Sequence, residues 1–149
     1  MPLVYADTSA LFAYFHPKDR FSDLVDRAVV ATAPDFVYWA FSRFEIRHAL
    51  RQANTDNHGT TAWKALRAAE KTAGRLRWFN ELTADKMLDA AEELSAEAGA
   101  GIGGGGMDVI HVAAARRVKL LSGLDEFWTC DATQAEFARA LKLRTRLFK

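Results

Sequence analysis

The sequence predicts an α/β protein in which helices cover both faces of a parallel β-sheet. Short apolar runs alternate along the chain with longer segments whose apolar residues recur at helical spacing. The short runs are continuously apolar, which is typical of strands that are buried on both faces in a parallel sheet. We see no internal repeat and no domain boundary, and the 149 residues fit a single domain.

Six elements are predicted in the first half of the chain. A strand that stops at Asp7 comes first, and Thr8 or Ser9 then caps a short helix. A polar loop at residues 54–59 separates the last two helices. In chain order, the predicted elements are a strand at residues 3–6, helices at 10–15 and 21–31, a strand at 35–39, a helix around Ile46 and Leu50, and a helix at 60–74.

The second half begins with a possible short strand and ends with a possible edge strand. Thr83 and Asp85 match a helix N-cap followed by an acidic first turn. A glycine-rich hinge, residues 99–106, lies between two helices. It fits the dinucleotide pattern G-x-G-x-x-G, but it follows a helix where that motif requires a strand, so we expect no cofactor there. The predicted elements are strands at 76–79, 127–130 and 143–148 and helices at 83–98, 107–118 and 132–140.

The composition is typical of a globular protein without disulfides. Of the residues, 50% are hydrophobic and 26% are charged, and the formal net charge is +1. Nucleic-acid binding would therefore depend on local basic patches. The single cysteine, Cys130, excludes an intrachain disulfide and suits a cytoplasmic protein. We expect no membrane association, because no apolar run approaches the ~20 residues of a transmembrane helix and the N-terminus does not resemble a signal peptide.

Four acidic residues stand where a predicted strand ends or a predicted helix begins: Asp7, Glu45, Asp108 and Asp131. The carboxyl ends of parallel strands, and the helix starts that follow them, meet at one edge of the sheet. We therefore expect the four carboxylates to converge. Such a group would repel itself unless a cation neutralised it, and Mg²⁺ or a similar hard cation prefers oxygen ligands.

Simpler roles are open for these residues. Asp7 and Asp131 could only cap the helices beside them, and Asp108 could only favour a helix dipole. Glu45 borders an apolar stripe, where an unpaired carboxylate would be costly. His111, one turn after Asp108, could act as a general base or could pack and hydrogen-bond structurally.

Four segments around these acids resemble the motifs of PIN-domain nucleases, and their order and spacing are similar to those of VapC-type toxins from toxin–antitoxin pairs. The resemblance covers nearly the whole chain. The glycine-rich residues 101–106 are more extended than the family pattern and could loosen Asp108. The four segments are residues 4–11 (Val-Tyr-Ala-Asp-Thr-Ser-Ala-Leu), 42–50 (Ser-Arg-Phe-Glu-Ile-Arg-His-Ala-Leu), 108–115 (Asp-Val-Ile-His-Val-Ala-Ala-Ala) and 129–134 (Thr-Cys-Asp-Ala-Thr-Gln).

The resemblance implies a three-layer α/β/α domain with a parallel sheet of about five strands. It also implies an endoribonuclease that depends on Mg²⁺ or Mn²⁺. Asp7 and Asp108 would be the principal metal ligands, Glu45 would hold water or a second ion, and Asp131 would complete the acidic pocket.

Further expectations follow from the same resemblance. The hydroxyls of Ser9 and Thr129 would orient the acids. The protein would act on RNA, form a homodimer and pair with a small antitoxin whose tail blocks the site. Two other hypotheses remain: a catalytically idle module that binds RNA or a partner, and a metal-dependent phosphoesterase that acts on DNA or a small phosphate ester.

Basic residues recur at helical spacing in two segments. Each stripe alone could be an ordinary solvated helix face. Together with the basic C-terminus they indicate basic flanks around an acidic pocket, which suits a phosphodiester substrate. The first stripe is Arg43, Arg47 and Arg51, and the second is Lys64, Arg67, Lys71 and Arg75.

Overall fold

Five parallel strands form the centre of the molecule, as seen in a computed structural model that describes residues 1–72, 74–99 and 103–149. The strands are β1 (Leu3–Ala6), β2 (Asp35–Tyr38), β3 (Leu76–Trp78), β4 (Glu126–Thr129) and β5 (Thr145–Leu147). The helices are α1 (Thr8–Phe15), α2 (Ser22–Thr32), α3 (Ala40–Gln52), α4 (Asn57–Lys71), α5 (Ala84–Ala98), α6 (Gly106–Ser122) and α7 (Ala132–Ala140).

The strand order is β3-β2-β1-β4-β5, so the first strand lies in the middle of the sheet. Val4 of β1 is paired with Phe36 of β2 on one side and with Glu126 of β4 on the other. The chain moves outward from β1 to β3 and then crosses to the other side of β1 to form β4. The order therefore reverses between β1 and β4, and in open α/β sheets such a reversal leaves a crevice at the carboxyl ends of the two strands.

Alternate residues of β1 point into two separate cores. Val4 and Ala6 pack with apolar residues of α1–α4 on one face. Leu3 and Tyr5 pack with α5–α7 on the other. Burial on both faces explains why the strands read as continuous apolar runs. The predicted three-layer α/β/α fold with five parallel strands is confirmed.

Some predicted boundaries were wrong because side-chain caps decide them. Helix α1 begins at Thr8, with Asp7 as its N-cap, whereas Thr8 or Ser9 was expected in that position. Helix α4 begins inside the predicted polar loop, because Asp56 caps it by accepting a hydrogen bond from the Gly59 amide at 2.7 Å. Thr83 precedes α5 as expected, but its hydroxyl makes no capping bond to the described residues.

The glycine-rich hinge is described in part. Residues 100–102, including Gly101, lie outside the described residues, so the expectations for that end of the hinge are not addressed by the structure. Gly106 is already helical, as the first residue of α6. No helix in the described part of the chain combines the length and the hydrophobicity that crossing a bilayer requires.

Candidate functional site

A small pocket of about 120 Å³ lies at the carboxyl edge of the sheet, beside the crevice between β1 and β4. A pocket of this size is large enough to hold water. All four predicted acids line it, together with both hydroxyl-bearing residues of the β1–α1 junction and His111. The lining residues are Asp7, Thr8, Ser9, Glu45, Met107, Asp108, His111 and Asp131.

Asp7 is the most deeply placed acid, with only 5% of its surface exposed. Its Oδ1 accepts hydrogen bonds from the Ser9 hydroxyl at 2.6 Å and from the Ala10 amide at 3.0 Å. Its Oδ2 accepts one from the Thr129 hydroxyl at 2.5 Å. Burial raises the pKa of Asp7 above its usual value, although the charge of His111 and these hydrogen bonds oppose the rise.

Ser9 and Thr129 join the ends of the two central strands around Asp7. Both hydroxyls donate to the carboxylate and accept from the backbone beyond β4. The Cys130 amide donates to Oγ of Ser9 at 2.9 Å, and the Asp131 amide donates to Oγ1 of Thr129 at 3.0 Å. Each hydroxyl therefore donates one hydrogen bond and accepts another, and together they hold the Asp7 carboxylate between the two strand ends.

Glu45 reaches the pocket from α3. Its Oε1 accepts hydrogen bonds from the Thr8 hydroxyl and from Nε2 of His111, each at 2.5 Å. Partial burial alone would raise the pKa of Glu45, but these bonds and the charge of His111 outweigh burial and lower it. Glu45 is therefore an ionised carboxylate, and Nε2 of His111 is the donor in the bond between them.

His111 is buried and belongs to a chain of hydrogen bonds that leads away from the pocket. The Trp39 indole nitrogen donates to the Tyr5 hydroxyl oxygen at 3.0 Å, and that hydroxyl lies 2.8 Å from Nδ1 of His111. An indole N–H only donates, so the Tyr5 oxygen accepts that bond; Nδ1 of His111 donates to the same hydroxyl when the ring is charged and accepts from it when the ring is neutral. Of the two roles considered for His111, these contacts fit the structural one, because His111 hydrogen-bonds Glu45 and holds it in place.

Sequence reasoning missed Thr8, Tyr5 and Trp39 as parts of this arrangement. Tyr5 carried a usable signal, because a tyrosine inside a buried strand needs a partner for its hydroxyl. Thr8 was considered only as a helix cap, although its hydroxyl bonds Glu45 instead. Trp39 gave no sequence signal that separates it from an ordinary core residue.

Asp108 and Asp131 each make a local hydrogen bond at the start of a helix, and for Asp131 this is the capping role given above as its simpler explanation. Oδ2 of Asp108 accepts a hydrogen bond from the Gly105 amide at 3.0 Å at the start of α6. Asp131 caps α7 by accepting one from the Gln134 amide at 3.0 Å. Gln134 also donates to the Asp108 carbonyl at 3.1 Å, which ties the two helix starts together. Capping does not remove these acids from the pocket, since each uses only one carboxylate oxygen.

The oxygens left over are suited to a hard cation. Oε2 of Glu45, Oδ1 of Asp108 and Oδ2 of Asp131 accept no hydrogen bond from the described residues. Carboxylate oxygens are the donors that Mg²⁺ and Mn²⁺ prefer. The buried charge of Asp7 also gains from a nearby cation. As the side chains stand, no three acidic, histidine or cysteine groups within the described ranges are close enough to hold one ion.

Topology and pocket together define a class of fold: a three-layer, PIN-like α/β/α domain with acids where the strand order reverses. Among solved structures, the chain is similar to VapC20 of Mycobacterium tuberculosis, which is described as a sarcin–ricin loop cleaving toxin. The TM-score is 0.65 at 18% identity, over 92% of this chain and 94% of that chain. No family model and no curated protein matches the sequence. The resemblance to VapC-type proteins is thus confirmed for the fold.

Proposed function

We propose that this protein is a metal-dependent endoribonuclease that serves as the toxin of a toxin–antitoxin pair. The observation that supports this most is the meeting of Asp7, Glu45, Asp108 and Asp131 around one pocket. The pocket lies in a fold shared with a toxin that cleaves the sarcin–ricin loop. The proposal includes an RNA substrate, a small antitoxin that blocks the pocket, a homodimer and a cytoplasmic location.

In this proposal Asp7 and Asp108 are the principal ligands of Mg²⁺ or Mn²⁺, and Glu45 and Asp131 complete the site. A bound divalent cation would supply positive charge to a phosphate and lower the pKa of water. Ser9 and Thr129 hold the orientation of Asp7 through hydrogen bonds to its two carboxylate oxygens. Orientation of this kind is what partners of ligating carboxylates usually provide.

In this proposal Glu45 takes the proton of the attacking water. It is ionised, and its Oε2 accepts no hydrogen bond from the described residues. In hydrolysis the oxygen of a water forms a bond to phosphorus, and the bond from phosphorus to the leaving ribose oxygen breaks. Oε2 of Glu45 accepts the proton of the water, and the leaving oxygen takes a proton from solvent.

The test is cleavage of a mixed RNA pool with MgCl₂ or MnCl₂ by the wild type and by Asp7→Asn. Loss of a metal ligand is expected to exceed the roughly 10- to 100-fold loss that is typical when a residue that orients a ligand by a hydrogen bond is removed. Asp56→Asn is the matched control, because it makes the same change at a helix N-cap on α4.

Equal cleavage by Asp7→Asn and wild type, or cleavage that survives a chelator, would contradict the proposal. A DNA pool of the same length serves as a second substrate. Cleavage of DNA alone would favour the phosphoesterase hypothesis. RNA binding without cleavage in either cation would favour the idle module.

A further inference from the structure

The first basic stripe of the sequence lines a groove in the folded protein, and two residues of the second stripe line a hollow beside it. The groove lies along α3 and α4 and has a volume of about 530 Å³. A second hollow shares Arg43 and Arg47 with it and continues past Arg67 and Lys71 to Trp78 on β3. Besides Ala40, the residues that line the main groove are Arg43, Phe44, Arg47, His48, Arg51 and Trp63.

Positive charge in this groove is only partly neutralised. The described residues that line the main groove include no carboxylate. In the adjoining hollow, Glu70 is already bound by Arg47 at 2.9 Å and 2.5 Å and lies 3.7 Å from Arg67. Arg43 and Arg51 are exposed and form no ion pair with the described residues. Their guanidinium groups are thus free to bind an anion.

Aromatic rings stand between these cations and face outward. Phe44 is 61% exposed and Trp78 is 42% exposed. The guanidinium of Arg43 lies 4.7 Å from the centre of the Trp78 ring. His48 stacks on Phe44, with the planes inclined by 16°. Alternating cations and exposed rings match the alternating phosphates and bases of a single-stranded nucleic acid.

The groove and the acidic pocket lie on different sides of the same helix. Glu45 of α3 points into the pocket, while its neighbours Arg43 and Phe44 line the groove. A helix with its side chains is roughly 10–12 Å across, so a few nucleotides would connect the two sites.

We propose that this groove binds the single-stranded RNA next to the phosphodiester that is cleaved. Arg43 and Arg51 contact phosphates, and Phe44 stacks on a base. This inference rests on the proposed function, since it adds a subsite for the same substrate. An acidic peptide or a second copy of the chain would not require exposed rings interleaved with unpaired guanidinium groups.

The experiment measures binding of a short fluorescein-labelled single-stranded RNA by fluorescence anisotropy. All proteins carry Asp7→Asn, and EDTA is present, so that no RNA is cut. Arg51→Gln should reduce the slope of log affinity against log salt by about 0.7, which is the value for one phosphate contact on a single strand. Phe44→Ala should weaken binding roughly 5- to 150-fold without a change of slope, because stacking involves no counterion release.

Matched controls are available on α6, which packs on the opposite face of the sheet. Arg117→Gln and Leu120→Ala make the same kinds of change at exposed positions. Both should bind the RNA as the parent protein does. Circular dichroism of each variant establishes that its fold is intact.

Equal affinity and equal slopes for groove and control variants would overturn the inference. Two other results would also overturn it. In the first, the groove variants bind RNA normally but no longer self-associate in sedimentation. In the second, they bind RNA normally but no longer bind a poly-glutamate peptide. The cleavage assay on the native protein separates the two claims. If the native protein cuts RNA while the groove variants bind normally, only the subsite is wrong. If it cuts no RNA, the proposed function fails as well.

Discussion

Glu45 on α3 and His111 on α6 are joined by a hydrogen bond of 2.5 Å. The two helices belong to opposite layers, so this bond links the layers across the carboxyl edge of the sheet. His111 is held in turn by Tyr5, which lies in the central strand. The position of Glu45 in the pocket therefore depends on a buried polar chain that runs through the middle of the protein.

Tyr5→Phe should lower both stability and activity. It leaves the Trp39 indole N–H and Nδ1 of His111 without a partner, which costs about 1–3 kcal/mol for a buried polar group. In RNA cleavage we expect kcat to fall about tenfold, in the range for residues that orient a metal ligand. KM should stay unchanged, because Tyr5 does not line the pocket.

Urea denaturation and steady-state kinetics measure the two effects. Tyr14→Phe is the control, since the Tyr14 hydroxyl forms no hydrogen bond with the described residues. A Tyr5→Phe protein that is less stable but keeps its kcat would show that the chain supports only the fold.

Thr129→Val removes the hydroxyl that donates to Asp7 at 2.5 Å and accepts from the Asp131 amide. The Mn²⁺ concentration for half-maximal cleavage should rise roughly 10- to 100-fold, because a ligating carboxylate loses its orienting partner. Thr129→Ser keeps the hydroxyl and should restore the wild-type requirement. If both variants require the same Mn²⁺ concentration, the Thr129 hydroxyl does not orient Asp7.

Mn²⁺ should stabilise the folded protein, because an ion that binds only the native state adds its binding free energy to folding. At a hundredfold excess over Kd the gain is about 2.7 kcal/mol. Urea midpoints with MnCl₂ and with EDTA measure this gain, which Asp7→Asn should abolish. Asp56→Asn should retain it, because Asp56 caps α4 outside the pocket. A midpoint that is insensitive to Mn²⁺ in the wild type would contradict the metal site.

Gly104 precedes α6 with φ of +129°, a conformation that L side chains rarely adopt. Gly104→Ala should destabilise the protein by about 1–3 kcal/mol. It should also impair cleavage, because the same turn positions Asp108. Gly106→Ala has open space around the new Cβ and lies within the helix, so it should stabilise by about 0.4–1 kcal/mol. Thermal unfolding shows whether each variant has a lower or a higher unfolding temperature than the wild type. Equal changes in the two variants would contradict the assignment of strain to Gly104.

Glu70 makes stability depend on pH. Partial burial would raise its pKa, but hydrogen bonds from Arg47 and Tyr38 outweigh burial and lower it. A lowered folded-state pKa means that ionised Glu70 stabilises the native protein above the ordinary glutamate pKa of about 4.3. This contribution is lost as the pH falls through the lower, folded-state pKa.

Glu70→Gln should therefore lower the free energy of unfolding by roughly 1 kcal/mol near neutral pH and leave it unchanged in strong acid. The expected effect is modest because the Arg47 side chain is 37% exposed, so solvent screens the ion pair. Urea denaturation across this pH range measures the difference. Glu97→Gln removes a more exposed partner of Arg116 and should leave stability unchanged. A constant difference at all pH values would show that Glu70 acts through packing.

Local patterns predicted most of the secondary structure correctly, because apolar spacing and turn residues act within a few positions of the chain. They also indicated that acids would follow β1 and β4. They failed at helix starts, where the choice between Asp7, Thr8 and Ser9 depends on which side chain reaches a free amide. The prediction that the four acids lie near one another came only from the general rule that the carboxyl ends of parallel strands meet at one edge of the sheet.

The sequence by itself determined the alternation of buried strands and amphipathic helices, the positions of the acids and the two basic stripes. Only the tertiary structure decided that β1 is central, that Thr129 bonds Asp7 across 122 residues, and that the first basic stripe lines a groove beside a hollow that holds Arg67 and Lys71 of the second. The physical reason is that hydrophobic periodicity is a property of neighbouring residues. A hydrogen bond between distant side chains depends on strand order and register, which no local segment specifies.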